Sequence, residues 1–383
     1  MRLIPHASIE RKADRIADPI ERLRYLKRRV RPEREALPRQ SRQKLPLAGL
    51  LLVLAVLVSP GFEASSRTES LMLDPIPHPA APGADALPNV WLVDKSNDFE
   101  TYSNGLRIDD RYAVSNESRL FYPVYERSAI QADQPEWRSE PAGIVYHTTE
   151  SDQVHFDEEQ NGALKRIGKQ VLIFVREKRC YHFLIDRFGQ VFRVVQESDV
   201  ANHAGNSIWA DDKLIYVSLN RSFFGVAFET QTQRGQDLPS ANPAQIHAAR
   251  ILTEMLRSKY HIPASNCVTH AQVSVNPDNL LVGYHTDWAG NFPFLEVGLS
   301  DNYSAPPASI YAFGFEYDPV FVHATGVRLW QGLTLAEDQL RTEAAERGIP
   351  VAQYRSLLRK KFREVLATLK AASGAQEGDH ATE

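Results

Sequence analysis

Three short apolar segments of this sequence each end on a residue that can bind a metal or transfer a proton. His147 follows "GIVY", Glu229 follows "GVAF" and His270 follows "CVT". Segments of this composition are typical of buried strands. Polar side chains at the ends of neighbouring strands in a mixed α/β sheet converge on one cleft. We therefore expect these three side chains to share a site.

A polar loop further along the chain supplies two more candidates, His285 and Asp287. Two histidines and one carboxylate are a common ligand set of catalytic zinc, which keeps its fourth position for water. His147, His270 and Asp287 would form such a site. Zinc lowers the pKa of its water to about 7 and polarises a carbonyl group, which favours attack on an amide near neutral pH.

Amide hydrolysis also needs a group that takes a proton from water and passes it to the leaving nitrogen. Glu229 is the candidate for this general base and acid. His285 lies two residues before Asp287 and could stabilise the oxyanion if the loop is extended. A second arrangement stays open, in which His285 is the ligand and Asp287 supports it through a hydrogen bond.

The elements that would position these residues lie between Gly143 and Leu299. Strand-like and helix-like patterns alternate there, which predicts an α/β fold with a mixed central β-sheet flanked by helices. Asn242 followed by Pro243 is typical of a helix start. The predicted order is a strand in "GIVYH", a helix near 164–175, a hairpin in "CYHFLIDRFGQVFRVV", a strand in "FFGVAFET", a helix from Pro243 and a strand in "CVTH".

Six segments within residues 140–299 follow one another in the order found in a known enzyme family. They are "IVYHTTES", "YHFLIDRFGQVFRVV", "ANHAGNS", "SLNRSFFGVAFET", "CVTHAQVS" and "HTDWAGNFPF". This series resembles the type 2 family of zinc-dependent N-acetylmuramoyl-L-alanine amidases, which also includes phage amidases and peptidoglycan recognition proteins. The resemblance implies the amidase/peptidoglycan recognition protein fold for residues 140–299 and one Zn²⁺ per chain.

The resemblance also implies roles for individual residues. His147, His270 and Asp287 match the zinc ligands of the family. Glu229 matches the catalytic carboxylate of the bacterial members. Tyr181 matches a tyrosine that lies beside the metal in the phage-like members.

Two further positions, His203 and Asn206 in "ANHAGNS", match the segment that lines the substrate groove of the family. His285 is a departure, because the family commonly has lysine at that position. Lysine is cationic at neutral pH, whereas histidine titrates near 6.5. Stabilisation of the oxyanion would then weaken as His285 loses its proton.

The reaction implied by the resemblance is hydrolysis of the amide between the lactyl group of N-acetylmuramic acid and L-alanine, in peptidoglycan or muropeptides. One alternative is a non-catalytic peptidoglycan-binding module, and another is a hydrolase of a different acyl-amino acid amide. The presence of both Glu229 and Asp287 favours an enzyme over a binding module.

The N-terminal part of the chain differs in charge from the rest. Residues 1–44 are basic and predict a cytoplasmic arm, and residues 45–62 contain the strongly apolar run "LPLAGLLLVLAVLVSP", which predicts a transmembrane signal anchor. Residues 63–88 are rich in Ser, Pro and Ala and predict a linker. The amidase domain would then stand on the periplasmic side of a bacterial inner membrane, held by a single pass. Secretion after signal-peptide cleavage is the alternative.

The composition of the exported part bears on its partners. The whole chain has a net charge of −4, and the basic residues are concentrated in the N-terminal arm, so the remainder is acidic. An acidic surface disfavours binding to nucleic acid. The expected partners are therefore peptidoglycan or muropeptides, and the membrane through residues 45–62.

Extensions flank the amidase domain on both sides. Residues 89–139 contain short strand-like segments. Residues 300–372 are strand-like in "SIYAFGFEYDPVFV" and then helical, with a capping box at Thr334 and Glu337. The tail 373–383 is predicted to be disordered.

Two cysteines, Cys180 and Cys267, each begin a predicted strand. They could form one disulfide, or they could be free thiols packed as small apolar side chains. We favour the free thiols.

Overall fold

A computed structural model describes residues 86–128, 130, 134–232, 240–317 and 319–379. The predicted basic arm, the predicted membrane anchor and nearly all of the predicted linker lie outside these ranges. No helix within these ranges is long and apolar enough to cross a membrane.

The described residues form short strands and six helices. The strands are β1 Leu92–Lys95, β2 Phe99–Tyr102, β3 Arg107–Asp109, β4 Tyr122–Glu126, β5 Glu136–Arg138, β6 Gly143–Thr148, β7 Phe183–Ile185, β8 Val191–Arg193, β9 Ile208–Ala210, β10 Leu214–Val217, β11 Phe223–Phe228, β12 Cys267–Thr269, β13 Leu281–Val282 and β14 Glu316–Tyr317. The helices are α1 Asn161–Lys178, α2 Pro243–Tyr260, α3 His270–Val273, α4 Ala308–Tyr311, α5 Pro319–Glu346 and α6 Val351–Asp379.

The largest sheet has eight strands in the order β1-β2-β3-β8-β7-β11-β6-β12. Strands β7, β11, β6 and β12 run parallel to one another, whereas β7 and β8 form an antiparallel hairpin. The sheet is therefore mixed, as predicted. Strands β6 and β11 are buried along their whole length. Burial on both faces explains why their sequences are continuous apolar runs and not alternating ones.

Helices cover both faces of this sheet, which confirms the predicted layers. Helix α1 packs through Leu172 and Val175 on the face that carries Ala227 of β11. Helix α2 packs on the opposite face, which carries Phe228. Phe174 of α1, in contrast, is 57% exposed.

Helix α2 begins where its sequence predicted. The side chain of Asn242 accepts the N–H of Gln245, and the side chain of Gln245 accepts the N–H of Asn242. This reciprocal capping box satisfies two N–H groups that have no partner within the helix. Pro243 occupies the first turn, where a missing N–H costs nothing.

The N-terminal extension is built into the sheets of the amidase domain. Strands β1, β2 and β3 continue the main sheet, because β3 pairs in parallel with β8. Strands β4 and β5 join β9 and β10 in a second sheet with the order β5-β4-β10-β9. The strand-like character predicted for this extension is confirmed.

The C-terminal extension is more helical than its sequence suggested. Most of "SIYAFGFEYDPVFV" is not a strand, since it contains the end of α4, the two residues of β14 and the start of α5. The predicted capping box is also wrong. Helix α5 begins at Pro319, so Thr334 lies inside it and its hydroxyl donates to the carbonyl of Trp330 at 3.0 Å.

A short turn at Gly348 separates the last two helices. Gly348 adopts a φ of 65°, a left-handed conformation that ends α5, and Pro350 precedes α6. Leu358 and Val365 of α6 are buried. Helix α6 continues through Asp379, past the start of the tail that was predicted to be disordered.

Both cysteines are free thiols. Cys267 is fully buried, and burial raises the pKa of its thiol to about 12. Burial likewise raises the pKa of Cys180 to about 11. Thiols that stay protonated in apolar surroundings behave as small hydrophobic side chains.

Arg193 of β8 is buried and joins three carboxylates. Its guanidinium lies 2.7 Å from Glu100 and 2.6 Å from Glu197, and it also pairs with Asp110. Lys95 pairs with Glu100 from the surface at 2.7 Å. Burial would raise the pKa of Glu100, but hydrogen bonds from Lys95 and Arg193 outweigh it and lower the pKa to about 2. The network therefore ties the N-terminal extension to β8.

Arg193→Met is expected to lower the free energy of unfolding at about pH 7 by roughly 3–5 kcal/mol, because it leaves buried carboxylates without their cation. The control Lys95→Met removes an exposed partner and should cost less than about 1 kcal/mol. Since the pKa of Glu100 is depressed from 4.5, its stabilising effect is present above pH 4.5 and is lost as the pH falls towards 2. Urea unfolding should show the deficit of Arg193→Met shrinking at about pH 3; a deficit that does not change with pH would contradict this account.

Candidate metal centre

Two neighbouring parallel strands bring the predicted histidines together. β6 and β12 are paired with Thr269 opposite Tyr146. His147 is the next residue of β6, and His270 directly follows β12. Gln272 accepts the N–H of Thr269 at 2.9 Å, which turns the chain into helix α3 at His270. Both imidazoles therefore lie at the same edge of the sheet.

Asp287 reaches this edge from the loop that follows β13. Its main-chain carbonyl accepts the N–H of Ala271, next to His270. The loop continues into Trp288, whose buried ring packs edge-on against Phe228 and Phe292. The aromatic packing holds the loop against the sheet.

The side chains of His147, His270 and Asp287 converge and are buried. Asp287 Oδ2 lies 3.2 Å from His147 Nδ1, and Asp287 Oδ1 lies 3.0 Å from His270 Nδ1. One potential ligand atom from each residue lies within 4.8 Å of the other two. Neighbouring ligands of a tetrahedral zinc ion with bonds of about 2.0–2.2 Å are about 3.3 Å apart. The types and the spacing of these ligand atoms therefore fit zinc.

Negative charge in this centre is carried by Asp287. Burial would raise the pKa of its carboxyl group, but interactions led by the one with His270 outweigh burial and hold this pKa far below its usual range. Burial, followed by repulsion from His270, lowers the pKa of His147 to about 4. At neutral pH Asp287 is therefore a carboxylate and His147 a neutral imidazole, which are the forms that bind metals.

Glu229 lies on the same face of the sheet as His147. Ala227 of β11 pairs with His147, and side chains two residues apart in a strand share a face. The Glu229 carboxylate accepts the N–H of Arg187 at 3.2 Å and lies against Gly168 of α1, where an added Cβ would be 2.9 Å from Oε2. Burial raises the pKa of Glu229 to about 7. This side chain can therefore take up and release a proton near neutral pH.

The remaining candidates for catalysis flank the two histidines. The Tyr181 ring centroid lies 5.0 Å from that of His147, and burial raises the pKa of its hydroxyl, which stays protonated. The His285 ring stacks on His270 with 4.3 Å between centroids and 18° between planes. The N–H of His285 donates to Ser274 Oγ at 3.0 Å. Both rings lie beside the centre, and their catalytic roles stay predictions.

The two residues predicted to line the substrate groove occupy different surroundings. Asn206 is exposed, and its carbonyl accepts the N–H of Val275. His203 is buried, with Nδ1 at 3.1 Å from His147 Nε2 and Nε2 at 3.1 Å from the carbonyl oxygen of Phe223. The structure thus places His203 in contact with the ring nitrogen of His147 that faces away from Asp287. Sequence reasoning missed this contact because it joins residues 56 positions apart.

The family comparison agrees with this geometry. Residues 137–287 match the family model described as "N-acetylmuramoyl-L-alanine amidase". The matched range includes all three metal-site residues and Glu229. This part of the chain belongs to that amidase family. The protein is an enzyme of this type. The match covers less than half of the chain, and α5 and α6 lie outside it.

Solved structures of several amidases are similar to this chain at low identity. LysC, an N-acetylmuramoyl-L-alanine amidase from Clostridium intestinale URNW, is 22% identical over 48% of this chain and 93% of its own, with a TM-score of 0.25. AmiD from E. coli, solved with anhydro-N-acetylmuramic acid-L-Ala-D-gamma-Glu-L-Lys, is 19% identical over 54% of this chain and 68% of its own, with a TM-score of 0.29. AmpDh3 from Pseudomonas aeruginosa, solved with an anhydromuramic pentapeptide, is 17% identical over 61% of this chain and 92% of its own, with a TM-score of 0.32. Similarity this low carries no weight for the chemistry of this chain. A search of curated proteins found no match.

The raised pKa of Glu229 has a consequence for stability. A carboxyl whose pKa is about 7 when folded and 4.5 otherwise destabilises the fold progressively as the pH rises between these values. Glu229→Gln removes this effect, so the variant should gain stability relative to wild type between about pH 5 and about pH 8, by roughly 3 kcal/mol at most. Urea unfolding of metal-free protein at the two pH values measures the gain. A stability difference that is the same at both would show that Glu229 titrates normally.

Proposed function

We propose that this protein is a zinc-dependent amidase that hydrolyses the bond between the lactyl group of N-acetylmuramic acid and L-alanine, in peptidoglycan or muropeptides. The observation that carries the proposal is the buried cluster of His147, His270 and Asp287 inside the region that matches the amidase family model. His147, His270 and Asp287 would hold the zinc ion. When bound, zinc polarises the scissile carbonyl and lowers the pKa of water at its open position.

Glu229 moves the proton in this mechanism. One of its carboxylate oxygens takes a proton from the attacking water as the water oxygen bonds to the carbonyl carbon. The same oxygen then gives that proton to the nitrogen of L-alanine as the carbon–nitrogen bond breaks, which leaves a carboxylic acid and a free amine. A pKa of about 7 suits both transfers, because the group is neither too weak a base nor too weak an acid at neutral pH.

Tyr181 and His285 are proposed to stabilise the negative charge that develops on the carbonyl oxygen. The Tyr181 hydroxyl keeps its proton, because burial raises its pKa, and it can therefore donate a hydrogen bond. His285 lies beside the other metal-site histidine, on which its ring stacks. Donors that are held in place before the reaction lower its barrier more than mobile donors, because they need no reorganisation.

The substrate and the cellular position are part of the same proposal. Asn206, which is exposed, is proposed to contact the glycan or the peptide. The apolar run within residues 45–62 supports a single membrane anchor that keeps the amidase domain on the cell-wall side of a bacterial inner membrane. Release of the domain after cleavage of this segment is the alternative.

The bond that is cut can be read from the products of purified muropeptides. Mass spectrometry should show a free peptide that begins with L-alanine and a sugar that ends in a lactyl carboxyl group. The active protein should contain about one zinc per chain, and a chelator should abolish cleavage until zinc is returned. Fragments that bind without changing mass would support the non-catalytic module. Full activity without metal would refute the zinc mechanism.

Glu229→Gln should keep the metal but lower kcat by about a hundredfold or more, because the amide cannot act as base and acid. Glu177→Gln, at the exposed end of α1, is the matched control and should retain wild-type turnover. Zinc content is measured alongside the rate, so that loss of proton transfer is separated from loss of metal. An unchanged rate in Glu229→Gln would assign the proton transfer to another group.

A further inference from the structure

We propose that His203 is a positioning residue that determines which ring nitrogen of His147 carries the proton, and so presents the unprotonated nitrogen to the metal. The inference rests on the zinc site of the proposed function. It is carried by a chain of two hydrogen bonds that runs from His147 through His203 to the main-chain carbonyl of Phe223.

The Phe223 carbonyl determines which atoms donate and which accept in this chain of hydrogen bonds. A carbonyl oxygen only accepts, so His203 Nε2, 3.1 Å from Phe223 O, carries a proton. The His203 ring is buried, and its two nitrogens contact His147 and the Phe223 carbonyl with no carboxylate to balance a positive charge, so the ring is neutral. Nδ1 of His203 therefore has a lone pair and accepts from His147 Nε2 at 3.1 Å. The proton of neutral His147 thus resides on Nε2.

This tautomer turns the lone pair of His147 Nδ1 towards Asp287. The two atoms that face each other, Nδ1 and Oδ2, are 3.2 Å apart and are both acceptors. Two acceptors at this distance repel each other unless a cation lies between them. In the other tautomer, Nδ1–H would donate to Asp287, and a metal would have to displace that proton. His203 therefore favours metal binding by removing a competing hydrogen bond.

Neighbouring residues hold His203 in its buried position. Asn220 Oδ1 accepts the N–H of His203 at 3.0 Å and the N–H groups of the next two residues at 2.7 and 3.2 Å. Gly225 of β11 lies under the ring, where an added Cβ would be 2.6 Å from His203 Cγ. The sheet thus leaves a space for this imidazole at the one residue of β11 without a side chain.

The test compares zinc affinities of the full-length chain by competition with a chelator. His203→Leu removes the acceptor and should weaken zinc binding about 10- to 100-fold, the usual effect of losing the hydrogen-bond partner of a metal-binding histidine. His203→Asn keeps an acceptor oxygen near the position of Nδ1 and should stay within about threefold of wild type. Rescue by asparagine distinguishes the hydrogen bond from the volume of the side chain.

His182→Leu is the matched control. His182 is a fully buried histidine of the same layer, but its ring bonds to Gly225, Asp199 and Arg119. The variant should lower the thermal melting temperature and leave zinc affinity unchanged. Equal losses of affinity in His182→Leu and His203→Leu would overturn the proposal, because they would indicate a general packing effect. Equal affinity of wild type and His203→Leu, or no rescue by asparagine, would also overturn it.

A second measurement uses only the wild-type protein. Nitrogen NMR of histidine-labelled, metal-free wild-type protein distinguishes the two tautomers of His147, and the proton is expected on Nε2. A proton on Nδ1 would overturn the proposal. If the wild-type chain binds no zinc, the proposed function fails, yet the tautomer still decides whether His203 acts on His147 as inferred.

Discussion

The buried carboxylate of Asp287 lies between two imidazoles, and the rest of the site depends on this contact. An isolated carboxylate is costly to bury, because it loses its hydration. Here the interaction with His270, whose Nδ1 lies 3.0 Å from Oδ1, opposes that cost, and a cation bound between Oδ2 and His147 Nδ1, which are 3.2 Å apart, would oppose it further. The compensation works only if all three side chains are held in place. The surrounding strands and loops therefore serve to hold these three side chains in position.

The parallel strands supply the rigidity. β6 and β12 are neighbours in register, so the two imidazoles leave the sheet side by side. The Asp287 loop is not a strand of this sheet. It is held by the hydrogen bond from the Ala271 N–H to the Asp287 carbonyl and by the packing of Trp288. On the other side of His147, a second layer of hydrogen bonds runs through His203 into β11. The sheet thus positions the candidate ligands His147 and His270 and also His203, which contacts His147.

Two carboxyl groups at the same end of the sheet have pKa values shifted in opposite directions. Asp287 faces imidazoles, and its pKa is lowered, whereas Glu229 lies against Gly168 of α1, and burial raises its pKa to about 7. One is suited to stay ionised and hold a cation, and the other is suited to exchange a proton. This division comes from the surroundings, because the two side chains have nearly the same intrinsic acidity.

Local sequence patterns were enough to predict the strand that contains His147, the strands that directly precede Glu229 and His270, and the cap at Asn242. Such features depend on residues close together in the chain. Local patterns failed where tertiary packing competes with them: Thr334, predicted to cap a helix, lies inside a longer one. The tertiary structure decided three further features: the position of His203, the pKa of Glu229 and the free state of the thiols. The physical reason is that tautomers, pKa values and thiol distances depend on groups that only the fold brings within a few ångströms of one another.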